Sequence, residues 1–318
     1  MRYDAENSRI ELSAVELAGA VSGLELQLGP IAPGRLGGGG PDALRAFEDG
    51  LLTLPSAARD LLAANLARIA NPTRALKITA AAGDAWLHRA VYAFDDTGTS
   101  VLASALDSNF LAASSAAEIA AVMSTALVGE PPVIDSDTRL ELDGRGIVAL
   151  VAAADALRYG RLAALANHTQ YPEGLVASEV AARLAESMID DPRWSSNLLA
   201  SVLPFDASAF MDTPTVDLAM GRLAEAGLFA VTDRNGALPA IYHPTDAGLV
   251  TLHTIAEATG RVAFTLFEKR DDAIAYESVL LAYGRGMLLM LNLAPEGGGM
   301  APLSSGALAT LIARVSGT

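Results

Sequence analysis

"RVAFTLFEKRDDAIAYESVLLAYGRGMLLMLNL", Arg261 to Leu293, holds three apolar runs broken at Arg270 to Asp272 and at Gly284 to Gly286. Runs of this length, rich in β-branched, aromatic and leucine residues and bounded by turn formers, read as strands of an antiparallel meander. The pattern stands once before in the chain. "ALKITAAAGDAWLHRAVYAFDDTGTSVLASAL", Ala75 to Leu106, has three runs broken at Gly83-Asp84 and at Asp95 to Gly98. The later copy is apolar on successive residues, which implies burial on both faces or a sheet that meets another subunit.

The flanks of the two copies also correspond. "SRIEL" at Ser8 to Leu12 returns as "TRLEL" at Thr138 to Leu142, and "RAFEDGL" at Arg45 to Leu51 returns as "RLAEAGL" at Arg222 to Leu228. Gly50 and Gly227 are each expected to end a helix in the left-handed conformation. A Pro, then a Ser or Thr cap, then a helix follows in "LPSAARDLLAANLARI" and "HPTDAGLVTLHTIAEA", and each half closes on a helix opened by paired serines, Ser114-Ser115 and Ser304-Ser305. Four landmarks in one order point to an internal duplication.

The expected fold is therefore α+β, with two related lobes, each a winged-helix-like helical part, a three-stranded antiparallel meander and a closing helix. The first lobe spans 1–130 and the second 131–318, with an inserted helical region at 159–210 and a linker at Val128 to Asp137 carrying Pro131-Pro132. The two meanders are expected to pair as one sheet about a pseudo-twofold axis. The alternative is a homodimer or partner contact through the second meander, for which Tyr276, Leu281, Tyr283, Met287, Met290 and Met300 are the candidate protein-binding residues. Methionine packs adaptably on such surfaces.

Composition narrows the chemistry. The chain has no cysteine, which removes thiolate nucleophiles, disulfides and Cys-ligated zinc. Only His88, His168, His243 and His253 could act as imidazole bases or ligands, and none sits in a metal-binding motif. No G-x-S-x-G elbow occurs, and the paired serines serve as helix caps. The carboxylate pairs Asp95-Asp96, Asp135/Asp137, Asp190-Asp191 and Asp271-Asp272 fall in expected turns, where aspartate bonds its own backbone. "APGRLGGGGPD", Ala32 to Asp42, lacks the Gly-Lys-Ser/Thr of a phosphate loop and reads as a flexible connection. No catalytic residue, metal or cofactor is expected, and the chain reads as a non-enzymatic protein. No apolar run reaches the roughly 18 residues that a membrane helix needs. The polar "MRYDAENSRIEL" carries no apolar signal core, so a cytoplasmic location is expected.

"EAGLF" followed by "YHPTDAG" resembles the winged-helix regulators of the MarR and PadR type over Ala207 to Ile255, with Tyr242, Thr245 and Gly248 matching their Y-x-x-T-x-x-G. That family places Arg, Lys or amide side chains on the recognition helix and wing tip. Here the helix Thr213 to Gly227 has Arg222 against Asp217 and Glu225, and Arg234 of the wing tip stands beside Asp233. With a net charge of −15 over the whole chain, nucleic acid is an unlikely partner. A winged-helix regulator with weak or lost DNA binding through Arg222 and Arg234 is the alternative reading.

A second resemblance spans most of the chain. "RIELSAVELAGAV" followed by "RAFEDGLLTLPSAARDLLAANLARIANPTRALKITAAAGDAWLHRAVYAFDDTGTSVLA" is similar to the EspG proteins of type VII (ESX) secretion in its strand, helix, helical stretch, helix and meander. The second half repeats this order instead of following that family's C-terminal sequence. The resemblance implies a two-lobed cytosolic chaperone or adaptor for secretion substrates, using no metal or catalysis, whose sheet offers a binding surface.

Overall fold

A computed structural model of the chain describes all residues except 34–35, 37–38, 84–85, 106–107, 128–138, 172–173, 187–190, 192, 207–211, 233–238, 272, 296 and 318. The expected linker, Asp135, Asp137 and the wing-tip residue Arg234 lie outside the described residues.

Strands β1 (Arg2–Asp4) and β2 (Arg9–Ser13) lead into helices α1 (Ala14–Gly23), α2 (Pro41–Thr53) and α3 (Ser56–Ala70), then β3 (Arg74–Ala82), β4 (Trp86–Asp95), β5 (Gly98–Ala105), β6 (Ser108–Ser114) and α4 (Ala116–Ala126). Next come β7 (Leu140–Leu142) and the helices α5 (Gly144–Asn167), α6 (Ala177–Glu186), α7 (Ser195–Val202) and α8 (Thr213–Glu225). A hairpin of β8 (Phe229–Thr232) and β9 (Ile241–Pro244), helix α9 (Asp246–Ala256), strands β10 (Gly260–Arg270), β11 (Ala273–Gly284), β12 (Met287–Ala294) and β13 (Gly297–Pro302), and α10 (Ser305–Ser316) complete the order.

The described strands other than the hairpin form one eleven-stranded sheet in the order β1-β2-β6-β5-β4-β3-β10-β11-β12-β13-β7. Its centre is the antiparallel β3–β10 pair, in register from Gly260↔Ala82 to Glu268↔Arg74. Outward from that pair the order is β4, β5, β6, β2 and the edge strand β1 on one side and β11, β12, β13, β7 on the other, so the two sides correspond up to β2 and β7. The two meanders thus meet as strand neighbours within one chain.

Alternation along the strands assigns the helices to faces. Leu76, Ile78 and Ala80 of β3 pack with Val262 and Phe264 of β10 under Ile119 and Met123 of α4 and Leu311 and Val315 of α10. On the opposite face, Ala263, Leu280, Leu289 and Leu291 carry α5 to α9, while Leu102 and Leu111 carry α1 to α3. Polar groups seat the helices. Thr265 Oγ1 donates to the Val202 carbonyl at 2.8 Å under α7, and Ser100 Oγ donates to Asn65 Oδ1 at 2.5 Å under α3.

The structure corrects several expectations. Each meander has four strands. "SNFLAAS" is a short apolar stretch flanked by Ser and Asn and "GGGMAP" is half glycine, so neither stands out as a strand, and pairing on both sides makes them strands. Between α2 and α3 stand only Leu54 and Pro55, too few for a hairpin, so the helical part of the first half has no wing. Gly50 lies inside α2, whereas Gly227 has φ +83° just beyond α8. Pro55, not Ser56, occupies the cap position of α3.

The cap at Ser115 is built as expected. Its hydroxyl accepts from the Glu118 amide at 3.3 Å while Glu118 accepts from the Ser115 amide at 3.2 Å. Ser115→Ala is expected to cost about 1 kcal/mol, read as a lower urea midpoint at unchanged slope.

Candidate binding surface

The six residues expected to bind a partner do not form one surface. The β11–β12 register pairs Leu281 with Met290 and Tyr283 with Leu288, on the face that carries α4 and α10. Met300 pairs with Leu291, and Met287 with Gly284, on the face that carries α5 to α9, and Tyr276 shares that face through the alternation of β11. Leu281, Tyr283, Met287 and Met300 are buried, while Tyr276 and Met290 are half-buried on opposite faces. Apolarity on successive residues reflects helices of the same chain on both sides of the strand.

Of the two candidate DNA contacts, Arg222 is exposed and forms an ion pair with Asp143, the residue that caps α5. On the same helix, Asp217 accepts from the Tyr242 hydroxyl at 2.7 Å, and burial and this carboxylate push the tyrosine pKa up. Both side chains are engaged in holding α8 against its neighbours.

A different surface stands out on α5. From Ile147 to Leu157 every residue of this helix is buried. At about 1.5 Å per residue, its 24 residues span about 36 Å, and the distal turns emerge from the helical layer. There Tyr159 is 49% exposed, Leu162 50% and Leu165 73%. A spacing of three places these side chains along one slowly turning helix face, with Arg158 four residues before Leu162 on that face.

An alternating stack of cations and rings adjoins this face. The Arg183 guanidinium lies 4.0 Å from the Tyr159 ring centre, Tyr159 and Trp194 are 6.5 Å apart and tilted, and Arg158 lies 5.3 Å from the Trp194 ring. Arg158 also donates to the Arg193 carbonyl at 2.7 Å. Trp194 Nε1 donates to Asp191 at 3.1 Å, and hydrogen bonds from Arg193 lead the causes that hold the Asp191 carboxyl below the usual range. On the other flank, Arg161 reaches His253 Nδ1 at 3.2 Å and lies 5.6 Å from the Tyr171 ring. Burial pushes the Tyr171 hydroxyl up to about 12 and lowers the His253 pKa. Burial would raise Glu257, but hydrogen bonds from Arg285 and His253 hold it below its ordinary value.

Chemically, the arrangement offers rigid rings and guanidinium planes, the side-chain types that dominate the energetics of protein interfaces, beside an exposed aliphatic stripe. Its sequence signal was present in "RYGRLAAL", where apolar residues continue every third position beyond a run that is already buried. It is legible only once Gly144 to Asn167 is read as a single helix.

The fold is α+β, with the described residues forming an eleven-stranded antiparallel sheet with helices on both faces and the small β8–β9 hairpin. Among the described residues, no helix is long and apolar enough to cross a membrane. The chain matches no family model, and no curated protein matches it. Among solved structures it is similar to a chain in the structure of the Mycobacterium tuberculosis type VII secretion system chaperone EspG5 in complex with the PE25–PPE41 dimer. That likeness is architectural, with 13% identity and a TM-score of 0.49, over 97% of this chain and 95% of the other.

Proposed function

We propose that this chain is a non-enzymatic protein-binding protein, a cytoplasmic chaperone or adaptor for secretion substrates, built by internal duplication. The observation that carries the protein-binding part is the exposed stripe Tyr159, Leu162 and Leu165 beside Trp194 and Arg158. A contiguous exposed apolar surface edged by polar groups marks an interaction site on a protein of this kind. The mirrored strand order about β3–β10 supports the duplication, and the EspG-like order of elements in the first half supports the secretion role. The hairpin between α8 and α9 serves as scaffold in this reading.

Purification of the tagged chain from its native host at native expression, followed by light scattering, tests the proposal. A second protein in fixed stoichiometry is the expected result. Recovery of the chain alone as a monomer overturns it.

A further inference from the structure

We infer that the distal half of α5 docks an amphipathic helix of a partner protein, one whose apolar face is bordered by carboxylates. This rests on the protein-binding reading above and names the chemistry of the partner. The stripe of Tyr159, Leu162 and Leu165 is helical and one to two residues wide, which suits a second helix lying along it with its own apolar residues at spacings of three and four. Arg158 shares that face and Arg161 stands four residues before Leu165 at its border, while Arg183 sits over the Tyr159 ring.

Charge favours an acidic occupant. The described charged groups around the stripe are Arg158, Arg161, Arg183, Arg193 and Arg285 against Glu179, Glu186, Asp191 and Glu257, five positive against four negative. The chain as a whole carries −15, so this locality is an exception to its surroundings. A helix bordered by lysines would meet like charge here. A second copy of the chain would set these arginines against their own counterparts across a twofold axis, and two bodies of −15 against each other, so self-association through this face is disfavoured.

The test uses two synthetic helical peptides of about 20 residues with one leucine stripe, bordered in one by glutamate and in the other by lysine, the length at which isolated helices begin to form. Fluorescence anisotropy against the full chain should show at least tenfold tighter binding of the glutamate peptide at about 50 mM salt, with the gap closing at about 1 M as charges are screened. Leu165→Glu should weaken the glutamate peptide at least tenfold, and Leu165→Ala by less. Both should leave the thermal midpoint unchanged, because the side chain is 73% exposed.

Equal binding of the two peptides, preference for the lysine peptide, or insensitivity to Leu165→Glu overturns the inference. So does a dimer of the chain that Leu165→Glu dissolves. A native partner that still co-purifies with Leu165→Glu also overturns this surface, while leaving the protein-binding reading intact. Absence of any partner from the wild-type chain overturns that reading itself.

Discussion

Asp155→Ala is expected to lower the stability of the chain by about 3–5 kcal/mol, the range found when a buried charge loses its partner. Asp155 is 1% exposed in the most apolar stretch of α5. Its carboxylate accepts from the Ser195 amide at 3.2 Å, from the Ser196 amide at 2.7 Å and from the Ser196 hydroxyl at 2.6 Å, so it caps the start of α7 from another helix. The Arg261 charge faces it from β10. Alanine would strand two amides and a hydroxyl in the core and remove the negative charge opposite Arg261. Urea unfolding followed by circular dichroism measures the loss. A drop of under about 1 kcal/mol would show that water replaces the carboxylate, as at an exposed cap.

The same residue fixes a sign with pH. Burial pushes the Asp155 carboxyl up, against opposing hydrogen bonds from Ser196 and Ser195 and the charge of Arg261. A folded value above the unfolded one means that the folded chain binds more protons. The group's contribution is therefore full below about pH 4, the unfolded carboxylate value, and is lost as pH rises through the folded value. Asp155→Asn removes this dependence. The stability of that variant relative to wild type should rise between about pH 4 and pH 7, and a falling difference would refute the direction.

Asp155 also shows where sequence reading stops. A single carboxylate in "GIVALVAAADAL" can be noticed, but its partners lie 40 and 41 positions away, and no local pattern connects them. Elements whose causes are local were legible. The helix cap at Ser115, the Thr245 cap and the strands of Arg74–Ala82 and Gly260–Arg270 follow from short-range chemistry and alternation. The strand Gly297–Pro302 was not legible, because its hydrogen bonds depend on neighbours on both sides and its residues have no strand preference of their own. The candidate residues Leu281 and Met300 meet a related limit. Their apolarity reports burial without saying whether another chain or this chain's own helices cover the side chain. The face at Tyr159, Leu162 and Leu165 is distinguished by exposure, a property of the assembled fold.

Gly248→Ala is expected to destabilise the chain by about 3 kcal/mol, although alanine is the better helix former by about 1 kcal/mol. Gly248 lies in the first turn of α9, where its amide donates to Thr245 Oγ1 at 3.1 Å. Thr245 is held in turn, its amide donating to the Leu228 carbonyl at 3.0 Å and its hydroxyl to the Gly227 carbonyl at 2.7 Å. This draws the start of α9 onto the chain leaving α8, and a Cβ on Gly248 would fall inside the contact distance of the Leu228 carbonyl oxygen. That atom is backbone, fixed by its bond to Thr245, so it cannot rotate away as a side chain would. The T-x-x-G spacing thus has a structural cause that owes nothing to reading DNA. Gly221 supplies the control, since it lies within α8 and a Cβ there meets nothing within 4 Å. Gly221→Ala should stabilise by up to about 1 kcal/mol through helix propensity. Opposite signs for the two glycine substitutions, read as urea midpoints, would locate the effect in the α8–α9 approach. Equal signs would mean that helix propensity or local relaxation outweighs that contact.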